Sequence, residues 1–91
     1  MDESSRRYYQ RLDQQVRNAD SVDASIAILD AEINAPYMEY PLALQFWKAT
    51  ILREAGRNDE ALAEYVALYN AAPDTVFGTL AALHFEEIGE D

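Results

Sequence analysis

Residues 42–74 read LALQFWKATILREAGRNDEALAEYVALYNAAPD, two apolar-patterned segments that are separated by Gly56 and closed by Pro73. Glycine commonly follows the last turn of a helix, and proline cannot continue one, so the stretch predicts two helices joined by a short turn. Small residues, Ala49 and Ala61, lie on either side of that turn. Antiparallel helices approach closely only where side chains are small. We therefore predict a tightly packed helical hairpin.

The flanking segments carry the same signals. Apolar residues recur three and four residues apart, as in amphipathic helices, and no run alternates with the period of two that a half-buried strand shows. Pro36 ends one segment, and Pro41 stands at the favoured first position of the next. The sequence predicts one all-α domain over residues 1–91, built from antiparallel helix pairs stacked as a short α-solenoid. The expected helices cover about 4–18, 22–34, 41–55, 59–71 and 75–88, with Asp20 or Ser21 capping the second and Asn58 the fourth.

Residues 42–74 resemble one tetratricopeptide repeat, a helix–turn–helix unit of roughly 34 residues. Residues 5–36 resemble a more degenerate preceding unit, and 75–89 the first helix of a following one. The resemblance implies about two and a half helical pairs. It is carried by Ala49, Leu52, Gly56, Ala61, Tyr65 and Pro73, of which the first three have Ala82, Phe85 and Gly89 as counterparts.

The resemblance implies a non-enzymatic protein–protein interaction module, an adaptor or a chaperone-like clamp. Members of this family usually bind a peptide or a helix of a partner on a concave surface, lined by the first helix of each pair. Carried over onto this sequence, that surface comprises Tyr9, Asp13 and Val16 from the first helix, Phe46, Thr50 and Arg53 from the third, and Val76, Thr79, Leu83, Glu86 and Glu87 from the fifth.

Charge limits the partners of such a surface. The chain has 17 Asp plus Glu against 7 Lys plus Arg, a formal net charge of −10, and its field repels nucleic acid and anionic membrane surfaces. Arg53 is the single base among the expected groove residues, so we expect no clamp for acidic C-terminal tails. A basic or amphipathic segment that turns its positive side chains toward Glu86 and Glu87 fits better.

The residues offer no complete catalytic or metal site. The chain lacks cysteine, and its single histidine, His84, has one nearby carboxylate, Glu87, with no further ligand at helical spacing. Its serines stand at predicted helix starts, where capping explains them. We therefore expect no enzymatic activity, no metal and no cofactor. Since the sequence shows neither a signal peptide nor an apolar run of membrane-spanning length, we expect a cytoplasmic protein.

A structural subunit is the alternative. Residues 1–18 hold four arginines against three acids, whereas 75–91 hold four acids and no base, so the two ends could pair head to tail between copies. If the fifth helix does not cap the stack, its apolar residues would pack against another copy of the chain: Val76, Phe77, Leu80 and Leu83. An excess of acids also fits a salt-rich habitat, in which case the charge says nothing about partners.

Overall fold

The computed structural model describes residues 3–36 and 41–90, with side chains as far as Ile88. These residues form helices and connecting turns, as the sequence predicts. None of the helices in these two ranges has both the length and the apolar character needed to cross a membrane. The helices are α1 (Glu3–Arg17), α2 (Val22–Ile33), α3 (Pro41–Glu54), α4 (Asn58–Ala71) and α5 (Val76–Glu90).

Local side-chain and backbone chemistry fixes two of the helix ends as expected. Ser21 is extended, and its Oγ accepts a hydrogen bond from the backbone N–H of Ala24 at 3.0 Å, which makes it the N-cap of α2. Gly56 has a φ of 81° and ends α3. Around it, the N–H of Gly56 bonds to the Arg53 carbonyl, and the N–H of Arg57 bonds to the Leu52 carbonyl. This pairing is a Schellman motif, which glycine permits because it lacks a Cβ.

Two other helix starts differ from the expectation by one residue. Asn58 is the first residue of α4 and not its cap; Arg57 holds the cap position without a side-chain capping bond. The Arg57 guanidinium pairs with Asp23 of α2 and with Glu60 of α4. The side chain at this cap position therefore links α4 to α2 and does not cap the helix. Thr75 is not the first residue of α5, because its Oγ1 accepts a hydrogen bond from the Gly78 N–H as a cap does.

The helices pack in chain order around two clusters of buried side chains. Consecutive helices contact each other, and α3 also contacts α5. The cluster shared by α1, α2 and α3 consists of Leu12, Val16, Leu29 and Leu44. The cluster shared by α3, α4 and α5 consists of Ala49, Leu52, Ala61, Tyr65, Leu68 and Ala81. The expected small residues Ala49 and Ala61 are both fully buried.

A different pair of small residues lets α5 approach α4. Ala82 was the expected counterpart of Ala49, but Ala81 is the fully buried alanine and Ala82 is only half-buried. Gly78, one turn earlier on the same face, lies so close to the end of α4 that a Cβ there would be 2.0 Å from the Ala72 carbonyl oxygen. The closeness of that backbone sets the rotation of α5. The helix also continues through Gly89 to Glu90 instead of ending at Ile88.

The close contact at Gly78 predicts that replacing this glycine by alanine destabilises the fold. In an exposed helix, Gly→Ala adds about 1 kcal/mol of stability. Gly78→Ala should instead lower the free energy of unfolding by roughly 1–3 kcal/mol, because the new methyl group meets a backbone carbonyl that cannot move aside easily. Urea titration followed by circular dichroism measures the difference. Thr79→Ala, a change at the neighbouring exposed position, is the control, and a stabilised Gly78→Ala variant would contradict this packing of α5.

Candidate partner-binding site

The space between α3 and α5 is filled by the chain's own side chains. Phe46 of α3 lies edge-on to Tyr65 of α4, with ring centroids 5.7 Å apart, and to His84 of α5 at 5.3 Å. Its ring is also 6.0 Å from that of Phe77. Phe46 therefore packs against the core cluster of α3, α4 and α5 and holds three helices together.

Arg53 closes the other end of the same space. Its Nη1 is 2.5 Å from Nδ1 of His84, and its Nη2 donates to Oε2 of Glu87 at 2.8 Å. A guanidinium group only donates hydrogen bonds, so Nδ1 of His84 is the acceptor in this contact. His84 and Glu87 thus serve an inter-helix contact. Within residues 3–36 and 41–90, no group of three or more side chains is arranged to hold a metal ion.

Tyr65 is the fully buried centre of this contact. Its hydroxyl is 2.9 Å from Oγ1 of Thr50, and its ring stacks on the His84 ring at 4.8 Å with an interplanar angle of 11°. The Thr50 hydroxyl is also 3.0 Å from the Phe46 carbonyl oxygen, to which it can donate. Burial raises the pKa of the Tyr65 phenol, and the hydrogen bond with Thr50 offsets part of that shift.

An open cleft lies on the opposite side of α3, toward α1. Helices α1 and α3 do not contact each other along the described backbone, and the space between them measures about 480 Å³. Val16 and Ser25 are buried in its floor, where the Ser25 hydroxyl donates to the Val16 carbonyl at 2.9 Å. The cleft is lined by Asp13, Val16, Arg17, Ser25, Trp47, Thr50, Ile51 and Glu54.

The lining of this cleft combines apolar and charged groups. Trp47 and Ile51 pack against the cluster of α1, α2 and α3 while also lining the open space. Asp13 is paired with Arg17 at 2.9 Å. Glu54 is exposed and forms no ion pair with any residue that the structure describes. The cleft therefore offers an apolar wall with one uncompensated carboxylate at its end.

The binding residues that the sequence predicts lie in four different places in the structure. Asp13, Val16 and Thr50 line the open cleft. Tyr9 packs beside Tyr8 against the cluster of α1, α2 and α3, while Phe46 and Arg53 belong to the closed contact. The five from α5 are exposed and lie apart from the cleft, although one of them, Glu87, also pairs with Arg53 in the closed contact: Val76, Thr79, Leu83, Glu86 and Glu87.

Sequence reasoning missed much of the cleft wall. Trp47, Ile51 and Glu54 follow the same spacing of four and three residues as Phe46, Thr50 and Arg53, displaced by one position along α3. The available signal was Lys48, which stands where the family usually has a leucine. Its Nζ reaches Asp30 of α2 at 2.8 Å and Glu64 of α4 at 3.2 Å. Desolvation disfavours the Lys48 ammonium, but hydrogen bonds to the two carboxylates prevail and raise its pKa.

Antiparallel helix pairs stacked around an open cleft define a short helical-repeat solenoid. The family model described as tetratrico peptide repeat matches residues 1–74, and the chain belongs to this family. Tetratricopeptide repeats generally mediate protein–protein interactions and are not themselves catalysts. No curated protein and no solved structure matches the chain. Helix α5 lies beyond the matched residues.

The raised pKa of Tyr65 predicts a pH-dependent stability. At pH 7, Tyr65→Phe should lower the free energy of unfolding by about 0.5–1.5 kcal/mol through loss of the hydrogen bond with Thr50. Because the folded state favours the neutral phenol, its contribution is complete below the ordinary tyrosine pKa of about 10 and is lost as pH rises above it. The gap between the wild-type chain and Tyr65→Phe should therefore stay constant up to about pH 10 and narrow as the pH rises further toward the raised pKa of Tyr65 in the folded chain.

Urea unfolding across that pH range measures the gap directly. Tyr69→Phe, which removes a hydroxyl at a more exposed position on the same helix, is the matched control. A gap that stays constant from neutral to alkaline pH would show that Tyr65 does not resist ionisation in the folded chain.

Proposed function

We propose that this chain is a non-enzymatic adaptor or chaperone-like clamp that binds a peptide or helix of a partner protein in a groove lined by its first helices. The observation that carries the proposal is the open cleft of about 480 Å³ between α1 and α3. Its floor and wall are formed by the folded core, so the cleft is present before a partner binds. A preformed groove spares the ordering cost that a flexible binding surface would incur.

The lining groups indicate the chemistry of the ligand. Trp47, Ile51 and Val16 offer an apolar wall that suits one or two large apolar side chains. Beyond this wall, Glu54 supplies an exposed carboxylate, and the net charge of −10 attracts cations from a distance. A segment with an apolar anchor followed by lysine or arginine satisfies both features, and the indole face of Trp47 is suited to a cationic side chain.

The residues of the closed contact support the groove from behind. Thr50 lines the cleft and is also bonded to Tyr65, so the position of the cleft wall depends on the packing of α3 against α4. Phe46 and Arg53 hold α5 against α3. In this proposal, Tyr9, Phe46 and Arg53 act by keeping the first helices in place, and Thr50 touches the partner.

Selection from a random peptide library on the immobilised chain, followed by backbone amide shift mapping, tests the proposal. Enriched peptides should combine large apolar residues with lysine or arginine and should shift amides of α1 and α3. Glu54→Lys should weaken their binding by about tenfold or more, because the peptide cation then meets a like charge.

Asp74→Lys is the matched control, since it makes the same charge change at an exposed turn outside the cleft. If Glu54→Lys and Asp74→Lys weaken binding equally, the peptides respond only to the net charge of the chain and not to the cleft. Failure of the wild-type chain to enrich any peptide would refute groove binding.

The alternative function is a subunit that assembles head to tail, and it requires α1 to offer unpaired positive charge to a second copy. Two of its arginines already have partners within the helix, since Arg7 pairs with Glu3 at 2.7 Å and Arg17 with Asp13. The charge available for a second copy is thereby reduced. Sedimentation velocity in low and high salt separates the two functions, because head-to-tail ionic assembly dissociates as salt screens it, whereas an adaptor stays monomeric throughout.

A further inference from the structure

One face of α5 carries an exposed apolar stripe. Val76, Leu80 and Leu83 follow each other at intervals of four and three residues, which places them on one side of the helix. Their exposed fractions are 72%, 36% and 53%. They make up most of the large apolar side chains that the described residues leave exposed, the other being Tyr69 of α4.

Two other faces of α5 are covered by neighbouring helices. Gly78 and Ala81 lie against α4, and Phe77 and His84 face Phe46 of α3. In the earlier part of the chain, each first helix packs against a second helix, α1 against α2 and α3 against α4. Among residues 3–36 and 41–90, α5 lacks such a mate. The stripe is therefore the surface on which the second helix of a third pair would lie.

Charge next to the stripe selects what can cover it. Glu86 and Glu87 are exposed one turn beyond Leu83, and residues 75–91 contain no lysine or arginine. Glu87 is paired with Arg53 of α3, whereas Glu86 forms no ion pair with any residue that the structure describes. The C-terminal end of a helix is itself negative, so α5 brings two sources of negative potential to the same end. A second copy of α5 would add more carboxylates, and two chains of net charge −10 repel each other. A positively charged occupant removes this conflict.

We propose that the stripe of Val76, Leu80 and Leu83 docks an amphipathic helix of a partner protein, whose cationic end lies against Glu86. Apolar side chains at intervals of three and four residues pack between those of α5, as in other helix pairs. Lysine or arginine in the end turn of the docked helix pairs with Glu86, since Glu87 already pairs with Arg53. This surface is separate from the cleft between α1 and α3, so the inference does not depend on the function proposed for that cleft.

A designed peptide of about 15 residues, the length of α5, serves as the probe. It carries leucines at intervals of three and four residues and lysines in its first turn, and a peptide of the same composition in scrambled order is the reference. Fluorescence anisotropy on the full chain measures the affinity, and backbone amide shifts locate the peptide. We expect the ordered peptide to bind about tenfold or more tightly than the scrambled one and to shift amides of α5.

Two variants test the two parts of the proposed contact. Leu83→Ser removes an exposed apolar group, and Glu86→Lys reverses a charge, and each should weaken binding by about tenfold or more. Both positions are exposed, so the fold should persist, which circular dichroism checks. Asp74→Lys is the control of equal charge change and should not alter the affinity of this probe. Glu54→Lys reports any binding of the probe to the cleft and should leave the shifts of the α5 amides unchanged.

Three results would overturn the inference. The first is equal affinity for the ordered and the scrambled peptide, which would show that the peptide is attracted only by the net charge of the chain. The second is a loss caused by Glu54→Lys and not by Glu86→Lys, which would move the peptide to the cleft. The third is a dimer in sedimentation velocity that Leu83→Ser dissociates, which would show that a second copy covers the stripe.

Discussion

The burial of the Tyr65 side chain in α4 is the constraint on which the neighbouring helices depend. Its ring stacks on His84 of α5 and meets the edge of Phe46 of α3, while its hydroxyl bonds with Thr50 of α3. One side chain thus fixes two helices relative to a third. A buried phenol needs a partner for its hydroxyl, so the hydroxyl of Thr50 also selects one rotation of α3. That rotation then determines which residues of α3 face α1.

The two sides of α3 consequently differ in what they leave for a partner. Toward α5, the inter-helix space contains aromatic rings and the ion pair of Arg53 with Glu87. Toward α1, the rings stop at Trp47 and the space stays open. Close packing on one side and an open cleft on the other follow from one helix orientation, because Phe46 and Trp47 are adjacent and must point to different sides. The asymmetry between the two sides is therefore built into the order of these two residues.

The dependence of helix rotation on contacts with other helices also explains which features could be predicted from the sequence. Gly56, Pro73 and the alanines Ala49 and Ala61 act locally, through backbone conformation and residue size, so the hairpin and the all-α architecture were predictable. The rotation of a helix is not local, since a displacement of one position turns it by about 100° and is decided by contacts from other helices. The expected face of α3 was accordingly one position away from the residues that line the cleft, and Ala82 was expected where Ala81 is buried.

The distribution of charge links the two exposed surfaces. Arg7, Arg17, Lys48, Arg53 and Arg57 form ion pairs with carboxylates of their own chain, so most of the chain's cations are engaged internally. The acidic excess therefore falls on outward-facing groups such as Glu54 and Glu86, each located beside apolar side chains. At both places the apolar contact would supply most of the binding energy, and the carboxylate would select cationic partners over anionic ones. Since salt screens only the second of these contributions, partner selection should be more salt-sensitive than the contact itself.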